Sequence, residues 1–331
     1  MASQPAKRQR TEDEPITRSD TWFPDGNVVL QAGNTQFRVH WGVLALHSSV
    51  FSDMQGLPQP PEQPSVEGCP VVELQDDEED VKFLLKALYT PAIQLIRDPQ
   101  WRRFLTYKVP ISKLPFSAVA ALVRLGRKYE FQDLHDSAVG RLTARFPTTL
   151  EGYDALKAFP DRWSTIDWYS GLIFDAISLA TENNLFAVLP CAYTEAVINH
   201  NTATLFDGIE NKTPQLSGVY LRKCVLFQQS LFLKQFNPSY TLGWLQKWEF
   251  EGNCTDAIAC RTRRERMLYK FMNSIPRGLF KPEDIPVNLG HLCSTCRPRV
   301  GDLMRSGRQK LWDELPKLLD LPPWAELKNG D

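Results

Sequence analysis

The chain has none of the short signatures on which common enzyme layouts rest. There is no Gly-x-Ser-x-Gly elbow, no Gly-x4-Gly-Lys phosphate loop, no His-Glu-x-x-His and no Gly-x-Gly-x-x-Gly. The catalytic and nucleotide-binding arrangements built on those motifs are therefore unsupported. Only five histidines occur, at positions 40, 47, 135, 200 and 291, and they do not cluster. No apolar run approaches the ~18 residues that a membrane-crossing helix needs, so no membrane partner is expected. The opening residues, MASQPAKRQRTEDEP, lack the apolar core of a secretory signal. Seven cysteines without framework spacing argue against a disulfide scaffold. They point to a reducing, intracellular setting, cytoplasmic and/or nuclear.

What is present suffices for a folded protein. Hydrophobic residues make up 43% and aromatics 11% of 331 residues, which excludes wholesale disorder. The length suits one large domain or two ordinary ones. A formal charge of −1 conceals an asymmetry: from Cys254 to Lys310 there are twelve Lys/Arg against five Asp/Glu. Such a segment reads as solvated helix faces or as a docking surface for an acidic partner.

Residues 1–17 are polar and charged and are expected to form a disordered arm, in which Lys7 to Arg10 is a short basic patch. Next, Val28 and Leu30 alternate with polar residues, Ala32-Gly33-Asn34 supplies a turn, and Phe37 and Val39 alternate again, predicting a two-stranded hairpin. Val43, Leu46 or His47, and Val50 recur at helical spacing, widened by Leu44 and Phe51, and predict one amphipathic helix. His47 on that stripe reads as a core residue. Leu57 to Pro64 is proline-rich and reads as an exposed loop. Val71 to Leu74 returns as a strand. Asp76, Asp77, Glu78, Glu79 and Asp80 precede Val81, Leu84, Leu85 and Leu88; carboxylates there complement a helix dipole and need no metal to explain them. Helices are further predicted over 119–131 and 134–146. Beyond Pro147, apolar repeats predict helices over 172–182, 185–200, 216–236 and 258–271.

These elements resemble a BTB/POZ domain, a protein-interaction fold. The resemblance is carried by Asp20, the hairpin, Phe37 to His40, Val43-Leu44-Ala45 and Ser48 to Met54, then by Leu88-Tyr89-Thr90 and Lys128-Tyr129. Ala120 to Tyr129, Ala180 to Leu185 and Leu318 to Trp324 are similar to BTB-domain proteins expanded in mushroom-forming fungi. The implied fold class is α+β: a BTB/POZ-like domain over 18–146, with insertions at 57–70 and 91–114, then a mainly α-helical domain over 147–331. The resemblance implies a non-enzymatic adaptor with other proteins as partners, self-association included. A substrate adaptor of a cullin-type ubiquitin ligase and a nuclear transcription regulator are the alternatives. It also places Asp20 and His40 at family positions that hold the hairpin to the helix, whereas Trp41 departs from the basic residue usual after that histidine; Asp20, His40 and Trp41 are the candidate protein-binding residues. Trp41, Trp101 and Trp244 are candidate interface anchors.

One constellation carries chemistry of its own. Cys293 and Cys296 form a C-x2-C pair, the spacing with which a turn grips a tetrahedral metal, and Cys254 and Cys260 form a wider pair. Together they allow a structural zinc site, His291 being a substitute ligand; free buried thiols are the alternative. No His and carboxylate can be nominated to activate a thiolate, so catalysis is not expected. Arg261, Arg263, Arg264, Arg266 and Lys270 form the densest basic patch. No zinc-finger spacing or basic-region heptad accompanies it, so nucleic acid is not an expected partner.

Overall fold

The computed structural model describes residues 15–57, 63–89, 113–158, 165–208, 216–246, 254–273 and 292–329. Most of the arm with its basic patch, the proline loop, the insertion bearing Trp101, and His291 lie outside these residues. The chain divides into two compact units, Met1–Arg141 with Ser164–Asp167, and Leu142–Trp163 with Trp168–Asp331.

The first unit is built on a five-stranded sheet: β1 (Thr17–Trp22), β2 (Val28–Ala32), β3 (Thr35–Val39), β4 (Ser65–Val66) and β5 (Cys69–Leu74), in the order β1-β3-β2-β5-β4. The predicted hairpin is β2 and β3, paired antiparallel from Val28↔Val39 to Ala32↔Thr35 around Gly33-Asn34. Gly33 has φ +54, a conformation that glycine adopts at little cost. All five residues of β2 are buried, as a strand covered on both faces must be. Its only polar side chain, Gln31, accepts a hydrogen bond from Gln36 Nε2 across the hairpin at 2.8 Å, which satisfies a buried amide. β5 adds parallel to β2 and β1 parallel to β3. Neither β1 nor β4 was legible: β1 is a largely exposed edge strand without apolar alternation, and β4 has two residues.

One expectation is corrected here. The amphipathic stretch after the hairpin is two helices, α1 (Trp41–His47) and α2 (Ser49–Gln55), broken at Ser48 with φ −140 and ψ 121. The Ser48 hydroxyl accepts from Phe51 N–H, capping α2, and donates to the Tyr129 carbonyl. That capping geometry is incompatible with a helix running through Ser48. The break rotates the stripe: Trp41, Leu44 and Phe51 are buried, His47 is only half-buried, and Leu46 points to solvent at 78% exposure.

The acid cluster behaves as its position predicts. α3 (Glu78–Tyr89) starts with three carboxylates in its first turn, and the Asp77 carboxylate accepts from Glu79 N–H at 3.0 Å. Asp80 pairs bidentately with Arg124, and Asp76 accepts from Lys128 and Tyr129, both cations lying on α4 (Phe116–Lys128). Gly126 lets α4 approach α5 (Gln132–Arg145), because a Cβ there would lie 2.9 Å from His135 Cβ.

The second unit is helical. α6 (Leu150–Ala158) is followed by α7 (Leu172–Glu182), which packs on α8 (Leu189–Asn199). α8 starts later than predicted, at a proline-marked N-terminus. After α9 (Thr202–Asp207), α10 (Gly218–Lys234) packs on α8, and α11 (Ala257–Asn273) follows a 3₁₀ turn at Gly243–Leu245. α12 (Cys296–Asp313) and the short α13 (Leu315–Leu318) end the helical run. Buried Glu195 on α8 meets Lys157 Nζ at 2.9 Å and Arg145 at 3.8 Å, so its charge is compensated. Arg308 of α12 grips Asp154 of α6 with two nitrogens. Trp312 stacks on Trp324, centroids 5.6 Å apart, and donates to the Thr148 carbonyl.

α12 was not anticipated from the sequence, because Pro298, Gly301 and Gly307 interrupt its pattern. Pro298 falls in the first turn, where its missing N–H costs little. Gly307 faces the backbone of Tyr240 and Thr241 so closely that a Cβ has no room. Gly307→Ala should therefore destabilise the protein by ~1–3 kcal/mol, since a packed backbone must move. Gly140→Ala, at an exposed position of α5 where a Cβ would meet nothing within 4 Å, should instead stabilise by up to ~1 kcal/mol. Urea melts of the two variants check the pair of signs.

Candidate functional site

Among the described residues, one group has the composition and geometry of a metal centre. The sulfurs of Cys254, Cys260, Cys293 and Cys296 all lie within 4.8 Å of one another. Zinc–thiolate bonds of ~2.3 Å in a tetrahedron place sulfurs ~3.8 Å apart. The Cys254–Cys293 separation is 3.7 Å, and closing the rest of the cluster needs shifts below about an ångström on that same geometry. A set of four thiol donors suits a soft tetrahedral cation, and with every position taken by protein such a site is structural.

The wide spacing of the first pair is explained by the helix. Cys254 lies just before α11 and Cys260 in its first turn, so one turn of helix folds the five intervening residues back. Asp256 caps that turn, its carboxylate accepting from Ala259 N–H at 3.1 Å. The second pair repeats the plan, with Cys293 just before α12 and Cys296 its first residue. Two helix N-termini thus converge on the sulfurs, and their partial positive charge favours thiolates. Cys293 N–H donates to Cys260 Sγ at 3.3 Å, and Cys296 N–H donates to Cys293 Sγ at 3.4 Å. Hydrogen bonding from Thr255 and from the Cys296 amide pulls the Cys293 thiol down to about 5. Burial pushes Cys260 up to about 11 and raises Cys296 as well.

The same residues start the helices' buried stripes. Cys260, Met267 and Phe271 on α11 join Cys296, Val300 and Met304 on α12 in one apolar cluster with Leu242, Trp244, Leu245 and Leu292. Trp244 is thus a core residue. The other three cysteines, Cys69, Cys191 and Cys224, are free and buried, and among the described residues none belongs to a metal-compatible group. Of the basic patch, Arg261 pairs with Glu265 one turn on, and Arg264 donates to the Leu245 carbonyl.

The three positions marked for protein binding separate in the first unit. Trp41 is 7% exposed, its ring edge-on to Phe51 at 6.4 Å, so it is a core residue. Asp20 is largely exposed, 3.9 Å from Lys86 Nζ, and lines a shallow polar depression with Arg18, Thr35, Glu78 and Lys82. His40, at the entrance to α1, has Asp25 of the β1–β2 loop and Tyr89 of α3 as partners, in place of the expected Asp20. His40 N–H donates to the Tyr89 hydroxyl at 2.9 Å, its Nδ1 lies 3.1 Å from the same oxygen, and its Nε2 lies 3.3 Å from Asp25 Oδ2. The hydrogen bond from His40 holds the Asp25 carboxyl below its usual range, and burial raises the Tyr89 hydroxyl. Phe23 packs on both rings, and Asn27 Oδ1 accepts from Trp41 N–H at 2.7 Å. The Asp25-Gly26 turn was the available signal for this junction. Tyr89→Phe removes the acceptor for a half-buried backbone N–H and should cost ~1–3 kcal/mol, read as a lowered urea midpoint.

Comparison with known proteins agrees with the architecture. Residues 24–142 match the family model of the BTB/POZ domain, a span that takes in β2 to β5 and α1 to α4. No curated protein and no solved structure gives a significant match. No helix among the described residues is long and apolar enough to cross a membrane. With a small sheet flanked by helices and the family match over residues 24–142 in agreement, this chain carries a BTB/POZ domain, a protein–protein interaction module, followed by a mainly helical region.

Proposed function

We propose that this protein is a non-enzymatic adaptor that acts by binding other proteins through its BTB/POZ domain, and that its helical unit is stapled by a structural zinc ion. The match of residues 24–142 to an interaction fold carries the first part. The surface around Asp20, lined by Arg18, Thr35, Glu78 and Lys82, is the binding face we assign. Exchange of an exposed charge at such a face changes association without touching the core. The convergence of four sulfurs at two helix starts carries the second part. Cys254, Cys260, Cys293 and Cys296 would hold the ion, which supplies a cross-link and no reaction chemistry.

Affinity enrichment of the full chain, followed by reconstitution with the purified partner, tests the adaptor reading. Asp20→Lys should weaken the reconstituted complex about tenfold, ~1.4 kcal/mol, with an unchanged melting midpoint. Absence of any partner that binds the purified chain directly, or turnover of a substrate by it, sinks the reading.

Zinc is tested by elemental analysis of protein purified under reducing conditions, where one equivalent is expected. Less than half an equivalent ends the proposal. Thiolate ligands compete with protons, so the bound metal should be lost as pH falls from about 7 to about 5. Chelation should lower the melting midpoint and the helical signal together.

A further inference from the structure

The four sulfurs fall into two unlike pairs. Cys260 and Cys296 are buried, lie within α11 and α12, and belong to the apolar cluster between them. Cys254 and Cys293 are half-buried, lie in non-helical backbone just before those helices, and hold their sulfurs 3.7 Å apart. Solvent therefore reaches the outer pair first, and that pair is already nearly in contact. A disulfide needs the two sulfurs ~2.05 Å apart. For Cys254 and Cys293, the approach moves residues that precede the two helices, the Cys293 carbonyl being tied to α12 through the Arg297 N–H at 3.0 Å. For the inner pair it would distort two helix starts and reach into a closed core.

We infer that the staple, on the zinc reading above, is an oxidant-released switch in which Cys254 and Cys293 close to a disulfide and free the metal. The oxidant is a peroxide. One outer thiolate attacks a peroxide oxygen, the O–O bond breaks, and a sulfenic acid forms as the departing hydroxide is protonated to water. The second outer thiolate attacks that sulfur, the S–S bond forms, and the sulfenic oxygen leaves as a second water. Hydrogen peroxide gains the two electrons that the thiolate pair loses. Two of the four donors are then consumed, and Cys260 and Cys296 alone cannot retain a tetrahedral ion. Thiol reductant and zinc together reverse the step. The starts of α11 and α12 are joined through the ion and four sulfurs in one state and through the outer disulfide alone in the other, which makes the helical unit redox-responsive.

The test uses the full chain, purified under reducing conditions with its zinc content measured beforehand. A small excess of hydrogen peroxide is added, and released zinc is followed with a chromogenic chelator. Peptide mapping under non-reducing, alkylated conditions then locates the new bond. The expected result is about one equivalent of zinc released, as one tetrahedral site holds one ion, together with a Cys254–Cys293 disulfide and recovery on adding reductant and zinc. Cys254→His keeps four ligands but cannot form the bond, so its zinc release should be at least about tenfold slower at equal peroxide. Zinc retained while peroxide is consumed, or a first disulfide at any other pair, overturns the inference and leaves the zinc reading standing. Protein that never carries zinc defeats the zinc reading instead. The mapping is done on unmodified protein, so poor folding of the variant does not remove the test.

Discussion

Every residue of strand β2 is buried, and that burial dictates the first unit. Its backbone groups must be paired on both edges, by β3 through a two-residue turn and by β5 running parallel. Both of its faces must also be covered by apolar elements. The helices that follow the hairpin therefore have to fold back, and the junction at His40 fixes where they begin. Asp25, Tyr89 and Asn27 converge there from the β1–β2 loop and from α3. Polar groups at a helix entrance would otherwise be stranded, so this cluster is structural before it is anything else.

The helical unit solves a different problem. Most of its interior is apolar packing around α8, with Glu195 neutralised by two cations. Among the described residues, α11 and α12 share an apolar cluster that runs from Leu242 to Met304. On the zinc reading, an ion held by the four sulfurs at their starts would add a constraint that burial alone does not supply. Loop-closing cross-links of this kind act mainly on the unfolded chain, by limiting the conformations open to it. The same position that makes the cluster a good staple leaves half of it open to solvent.

Much of this was legible in the residues. The alternation of Val28, Leu30, Phe37 and Val39 around a glycine turn gave the hairpin, and the carboxylates before Val81 gave the start of α3. Apolar repeats gave α4, α7, α10 and α11. What was missed shares a cause. The break at Ser48 depends on the Tyr129 carbonyl, eighty-one positions away, and helical periodicity carries no trace of such a partner. β1 exists because β3 offers it an edge, not because its own side chains demand a strand. α12 reads as a broken pattern because Gly307 answers to the backbone of Tyr240 and Thr241, not to helix propensity.

The sequence by itself determined the domain type, the helical character of the second half and the identity of the four cysteines. Local periodicity and residue chemistry encode those directly. Tertiary structure alone decided that Cys254 and Cys260 meet Cys293 and Cys296, which of them face water, and that His40 takes Asp25 in place of Asp20. Each of these is a matter of distance between segments far apart along the chain or on opposite sides of a turn. Spacing in sequence fixes such distances only within a single helix or hairpin, where backbone geometry is known in advance.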